Sequence, residues 1–382
     1  MNLKTKLADT IFIVIFILYN LLSILIYLSR LEVQSTSAAS FYKYFQYLTI
    51  GVLFFIILLR NYKINQFIML VILLPISMLT YYTTHEVRFL MFTLFCFASI
   101  GICVKGTLKK DLIVRILSFT IIIIMHRVGI LGSLLLNRYG SGNMRDSMGF
   151  GHPNYGGTLI MTIVLEWLIV RFKKITIIEV LLLSGISIYF NNYFQSRTSF
   201  LLSLLAIFGV YVIQYINSNK IEKVLGRIKA LKYFPILLTI MSLSFVIFLK
   251  KGTQIYNLAN KLLSSRLDIF SFYYSVAGIH WLPQRITYLF QDATFVGMDN
   301  SYIFLGIYMG LIALIGFCLV EIMCISKLLE NNNIEYLIIV IIFLVFGLTE
   351  ALAIFPVVNF SVIFFLGKIE TNEWEKIDEK KY

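Results

Sequence analysis

The sequence predicts an all-α polytopic membrane protein with about twelve transmembrane helices and one large extracytoplasmic loop between helices 9 and 10. Two observations carry this. First, 59% of the 382 residues are hydrophobic and only 14% are charged, with a mean hydropathy of +0.85, more apolar surface than a soluble domain of that size can hide. Second, apolar segments of membrane length recur along the chain up to Lys250, stop from Lys251 to Asp299, and then resume. The interruption keeps Tyr273, Tyr274, Trp281, Tyr288 and Phe290, too many aromatics for a disordered tether.

A span needs about 20 apolar residues. The segments that qualify are 8–29, 42–59, 64–82, 87–104, 111–134, 155–171, 175–190, 197–216, 233–249, 301–326, 334–348 and 353–367. The first follows Lys4 and Lys6 and has no small-residue cleavage site, so it reads as an uncleaved helix. The last two divide one nearly continuous run, Tyr336 to Leu366. As a single helix it would be roughly 45 Å long against a hydrocarbon core of about 30 Å. It would also put Glu350 in lipid beside Pro356. Two short helices joined at Thr349-Glu350-Ala351 avoid both problems. Residues 1–367 then form a single membrane domain that includes the loop 251–299, and 368–382 is a short mixed-charge tail.

Charge orients the chain. With twelve spans and a cytoplasmic N-terminus, the lysine-rich segments around Lys109, Lys173, Lys223 and Lys229 lie inside, and both termini are cytoplasmic. The opposite side receives mainly arginines: Arg30, Arg88, Arg138, Arg145, Arg197, Arg266 and Arg285. Arginine's planar fork suits phosphate, whereas lysines near the cytoplasmic leaflet suit anionic lipid. The net charge of +13 follows from this positive-inside bias, and nucleic acid is not an expected partner. Cys96, Cys103, Cys318 and Cys324 all sit in apolar segments without metal spacing and read as small hydrophobes. No cofactor and no metal site is indicated.

Three polar constellations fall on the arginine side. The first is the glycine-rich stretch from Arg138 through Arg145 and Asp146 to His152, Pro153 and Asn154. It reads either as a tight turn into a helix capped by Asn154, or as a site where Arg145 and His152 face a phosphorylated ligand. The second is the turn from Asn191 to Ser199, with Arg197 at a helix mouth, facing a ligand or reaching to headgroups. The third is the large loop, with Ser264-Ser265-Arg266-Leu267-Asp268, then His280-Trp281, Arg285, and the exit Asp299-Asn300-Ser301-Tyr302. There Arg266 either pairs with Asp268 or meets a ligand, Asn300 and Ser301 are candidate caps, and His280 is either structural or a general base.

These are also the places that resemble a known family. The segment Arg145-Asp146-Ser147-Met148-Gly149-Phe150-Gly151-His152-Pro153-Asn154 resembles the R-x-S-x-G-F-x-H-P-N stretch of Wzy-type polysaccharide polymerases in the O-antigen ligase/polymerase superfamily. Ser196-Arg197-Thr198 resembles that family's S-R-[TG] turn, and Ser265-Arg266-Leu267 and Asp299-Asn300-Ser301-Tyr302 resemble the two ends of its large outer loop. The resemblance implies a membrane glycosyltransferase that moves a glycan from one polyprenyl-pyrophosphate carrier onto another carrier-linked repeat unit, without nucleotide sugar or obligatory metal. It implies that Arg145, Arg197 and Arg266 act on the pyrophosphate, with flippase and chain-length regulator proteins as partners. His280 matches no family motif and is carried as a candidate base on its chemistry alone. His152, Asn154, Arg138, Arg285, Asp299 and Tyr302 are the expected substrate-binding set. The competing expectations are a glycan ligase of the same superfamily and a flippase for lipid-linked oligosaccharide, the latter calling for charges along a central path.

Overall fold

In a computed structural model the described residues are 3–137, 144–216, 218–263, 265–286 and 297–369. They form helices α1 (Leu3–Leu22), α2 (Leu31–Gln34), α3 (Thr36–Leu59), α4 (Ile64–Thr84), α5 (Arg88–Ala98), α6 (Val104–Arg127), α7 (Pro153–Val170), α8 (Ile177–Phe194), α9 (Arg197–Ile213), α10 (Ser218–Arg227), α11 (Phe234–Phe248), α12 (Gln254–Leu262), α13 (Arg266–Ala277), α14 (Ser301–Phe304), α15 (Leu311–Glu330) and α16 (Ile334–Phe346). One two-stranded antiparallel ribbon, β1 (Leu135–Asn137) with β2 (Met144–Asp146), interrupts them and pairs Leu136 with Arg145.

The chain is an all-α membrane protein: among the described residues seven segments are long and apolar enough to cross a bilayer, Lys4–Tyr27, Thr36–Leu59, Ile64–Thr84, Pro153–Val170, Ile177–Phe194, Lys229–Phe248 and Leu311–Glu330. Their outward faces are apolar, with Leu58, Leu181 and Phe248 exposed, as a surface solvated by lipid requires. Helix α7 is the centre of the bundle, 72% buried against 22% for α4 and α8.

Local chemistry sets the helix ends. Ser35 accepts from the Ala38 N–H at the start of α3, and Thr176 and Glu179 form a reciprocal cap on α8. The expected 87–104 span is shorter, an eleven-residue α5 followed by a turn. The expected 301–326 span is broken at Gly310, whose φ is +85° and where a Cβ would stand 2.6 Å from the Leu282 carbonyl carbon. The N–H groups freed there are taken up by the His280 carbonyl (from Leu311, 2.8 Å) and the Trp281 carbonyl (from Ile312, 3.2 Å).

The expected helix at 353–367 is not formed. Residues 351–367 hold two short 3-10 turns, Ala351–Ile354 and Phe360–Phe364, joined by irregular backbone. The segment is buried nearly throughout and ends at Lys368, which pairs with Ile102 and Val104 at the start of α6. Non-helical backbone at such depth survives only where protein covers it and satisfies its polar groups. Pro356 breaks a helix here, and Arg115 of α6 supplies a donor to the Val357 carbonyl at 2.7 Å.

Candidate functional site

At one end of the bundle the ribbon, the start of α7, the 347–350 turn and, from the large loop, Arg266 and Asp299 meet. The motif 145–154 builds this corner residue by residue. Asp146 accepts the Met148 N–H at 2.7 Å, and the Ser147 hydroxyl accepts the Leu134 N–H at 2.8 Å, closing the base of the ribbon. Gly149 takes φ +87°, and Phe150 is fully buried against Phe119 and Phe194. Pro153 stands at the first turn of α7. The cap is His152, not Asn154: the His152 Nδ1 accepts the Asn154 N–H at 3.1 Å. Asn154 is thereby free for a tertiary role.

That role is to join two arginines. The Arg145 Nη2 donates to the Asn154 Oδ1, and its Nε donates to the Phe194 carbonyl at 2.9 Å. Gly156 and Gly157 permit this approach, since a Cβ there would stand 2.4 Å from the Phe194 ring and 2.5 Å from the Ser196 Cβ. The Asn154 Nδ2 donates to the Glu350 Oε1 at 2.6 Å, and the Arg266 Nη2 reaches the same oxygen at 3.1 Å. Arg266 completes its fork through Nε to the Asp299 Oδ2 at 3.1 Å. The result is one chain of contacts, Arg145–Asn154–Glu350–Arg266–Asp299. Asp268 is not its partner; it accepts instead from Tyr256 (2.7 Å) and Asn260 (2.6 Å).

The network backs a cavity of about 540 Å³ lined by polar residues that include Glu86, Arg88, His152, Asn154, Asp299 and Glu350. Its aromatic walls include Tyr155, stacked on Tyr27 at 6.3 Å, and Tyr308, stacked on Phe304 at 5.3 Å. Arg145 and Arg266 stand behind this wall, and among the described residues the arginine on the wall is Arg88, held by both oxygens of Glu86 at 2.9 and 2.7 Å. A second, apolar groove of about 480 Å³ runs between α6, α7 and α8, from Trp167 to Phe190.

Electrostatics sort the titratable groups. Burial, then the charges of Arg145 and Arg266, depress His152 to about 4. Burial and the neighbouring Asp299 charge push Glu350 up to about 8, against the pull of Arg266, Arg145 and the Asn154 amide. Burial also works to raise Glu86, but Arg88 outweighs it and holds that carboxyl below its ordinary range.

Of the residues named from sequence, Arg145, His152, Asn154, Arg266 and Asp299 come together. The Arg197 side chain is exposed and makes no hydrogen bond or ion pair with the described residues; its neighbour Thr198 touches the site instead, accepting from Thr349 at 3.0 Å. His280 lies outside the network, its Nε2–H given to the Ala277 carbonyl at 2.9 Å and its own carbonyl to Leu311. Tyr302 is buried and donates to the Leu344 carbonyl at 2.8 Å, so it holds α14 to α16. Arg285 is exposed, and Arg138 lies outside the described residues. Sequence reading missed Glu86 and Arg88 as a pair and Glu350 as a site residue. The signal for Glu350 was its cost in lipid. No family model, curated protein or solved structure matches this chain.

Proposed function

We propose that this protein is a bacterial plasma-membrane glycosyltransferase that polymerises polyprenyl-pyrophosphate-linked oligosaccharide repeat units into capsular polysaccharide, exopolysaccharide or O-antigen. The observation that carries the reading is the pair of arginines, Arg145 and Arg266, tied through Asn154 and Glu350 to the wall of an aromatic cavity at the mouth of a membrane bundle. A leaving pyrophosphate gains charge as the glycosidic bond breaks, and guanidinium groups stabilise that charge more than they stabilise the ground state. Tyr155 and Tyr273 on the wall offer faces for sugars. The groove between α6 and α8 takes the apolar carrier tail; its Phe190 end lies one turn from Phe194, whose carbonyl binds Arg145. In this reading the chain makes twelve passes with both termini cytoplasmic, the last pass being the irregular segment 351–367, and the cavity opens on the outer face.

One observation favours the flippase alternative. Arg115, Asp111 and Glu166 are fully buried inside the bundle, with the Arg115 Nε 2.9 Å from each carboxylate, and charges at such depth often mark a transport path. Here, however, the Arg115 Nη1 is committed to Thr162 and to the Val357 carbonyl, which is the geometry of a structural pin.

Deleting the gene separates these readings. Carrier bearing a single repeat unit accumulates on the outer leaflet if the protein is a polymerase, and on the inner leaflet if it is a flippase. Proteoliposomes holding the full chain and lipid-linked repeat units should yield a polymer ladder without nucleotide sugar and in the presence of chelator. A ligase would instead transfer one glycan to a different acceptor.

A further inference from the structure

The glycosyl transfer needs a proton acceptor, and His280 is not among the residues that line the cavity. We propose that Glu350 is the general base, receiving the proton of the acceptor sugar hydroxyl on its Oε2. The inference rests on the polymerase reading above and adds a catalytic residue to it.

Geometry selects Glu350 among the cavity groups. Its Oε1 takes both donors, Asn154 Nδ2 and Arg266 Nη2, while its Oε2 makes no hydrogen bond with the described residues and the side chain lines the cavity. The backbone is clamped. The Glu350 N–H donates to the Phe346 carbonyl at 3.0 Å, its own carbonyl receives Ser301 Oγ at 2.8 Å, and Asn300 Nδ2 holds the Leu348 carbonyl at 2.9 Å. A carboxylate held by its backbone and by one oxygen presents the other at a defined place. The competing groups are occupied. Glu86 gives both oxygens to Arg88. His152 accepts at Nδ1, so its neutral ring carries the proton on Nε2 and donates. Asp299 is the more exposed carboxylate, 38% against 7%, and neutralises Arg266.

The step balances. The acceptor hydroxyl oxygen bonds to the donor's anomeric carbon, and the bond from that carbon to the carrier pyrophosphate breaks. Its electron pair leaves with the pyrophosphate, and the hydroxyl proton passes to Glu350 and then to water. The groups facing Glu350 are Asp299 and Arg266 from the loop, Arg145 and His152 from the motif, Tyr155 of α7, and Glu86 and Arg88 across the cavity. Burial and Asp299 bring its proton affinity near neutral pH, where a general base is most effective.

The test uses the full chain in proteoliposomes with pyrophosphate-linked repeat units, measuring kcat and KM between about pH 5 and 9. Wild-type kcat should rise with pH and reach half its maximum near 8, the value to which Glu350 is pushed. Glu350→Gln, which keeps the Oε1 acceptor, should lower kcat by roughly 10²–10⁴-fold with KM within about threefold, and the acidic limb should vanish. Glu350→Asp should keep the limb at reduced rate. A flat wild-type profile overturns the proposal, as does Glu350→Gln with kcat and limb intact, or a limb lost only in Asp299→Asn. If Glu350→Gln fails gel filtration, the wild-type and Glu350→Asp profiles decide. Absence of any wild-type polymer sinks the polymerase reading itself, whereas normal polymer from Glu350→Gln sinks only the base.

Discussion

Arg266 is the residue at which stability and activity separate most clearly. Its guanidinium joins Asp299 through Nε and Glu350 through Nη2, both at 3.1 Å. Removing it in Arg266→Ala exposes the fold to two losses. The Asp299 side chain is 38% exposed, so that ion pair contributes about 0–1 kcal/mol. A buried pair broken outright costs about 3–5 kcal/mol because a bare charge remains. Glu350, however, already sits near 8 and sheds its charge by taking a proton near neutral pH, so the loss there is closer to one hydrogen bond, about 1 kcal/mol. The structural loss is therefore about 1–2 kcal/mol, and the melting temperature in detergent should drop by only a few degrees. The catalytic loss is larger: a charge-assisted contact that strengthens in the transition state is worth roughly 3 kcal/mol, on the order of a hundredfold in kcat/KM. Arg266→Lys should recover little, since one ammonium cannot reproduce the fork that spans two carboxylates. Arg145→Ala should behave similarly through Asn154, whereas Arg197→Ala, outside the network, should be milder than either. Polymer ladders from proteoliposomes, scored with thermal melts of the same samples, give both readouts. Near-normal turnover in Arg266→Ala, or full rescue by lysine, refutes the assignment and leaves headgroup anchoring as the arginine's role.

Three further outcomes follow from the geometry. His152 is held neutral, with its affinity lowered from an ordinary 6.5 to about 4, so folding opposes its protonation: nothing is lost above pH 6.5, and up to about 3 kcal/mol is lost by pH 4. His152→Asn, which keeps a cap, should therefore lose less melting temperature than wild type on acidification, and parallel curves would refute this. Gly157→Ala should weaken the site through the 2.5 Å clash of its Cβ with Ser196, lowering polymer yield more than melting temperature if the shift displaces Phe194 and Arg145. In the bundle core, Arg115→Met leaves two carboxylates facing each other and should cost about 3–5 kcal/mol. Glu166→Gln, which keeps the Arg115–Asp111 pair, should be much milder in the same melts.

What sequence made legible was chemistry carried by local order. The apolar runs announced the bundle because lipid solvation needs only length and composition. The 145–154 motif announced a site because a turn, a plug, a cap and two polar side chains are packed into ten consecutive positions. The Asn154–Glu350 contact bridges 196 residues and Arg266–Glu350 bridges 84, and no local pattern encodes such a meeting. Glu350 drew notice only as an expense in lipid. His280 and Tyr302 show the same limit: each reads in sequence as a free functional group, but His280 lies off the cavity wall with its Nε2–H on the Ala277 carbonyl, and Tyr302 is buried with its hydroxyl on the Leu344 carbonyl of α16. The last apolar run was misread as a helix because periodicity cannot tell a lipid-facing helix from a strand of irregular backbone covered by protein on every side.

That last segment is also tied down along its length by side chains from other parts of the fold. Residues 351–367 forgo most helical hydrogen bonds, so other groups must meet their carbonyls. Asn359 Nδ2 takes the Ala353 carbonyl at 2.8 Å, Arg115 takes Val357 at 2.7 Å, and Lys327 Nζ takes Phe364, Phe365 and Gly367 at 3.0, 3.2 and 2.8 Å. Each of these donors is a side chain reaching in from elsewhere or from across a turn, so the segment's path is set by tertiary contacts along its length. A helix held only by its own ladder could slide or rotate about its axis, but a path fixed at these several points cannot. Glu350 stands at the head of this path, and its carboxylate inherits that immobility. The buried charge of Arg115 and the cavity carboxylate of Glu350 thus belong to one construction: the first fixes the irregular backbone from within the bundle, and the second is the group this backbone delivers to the cavity.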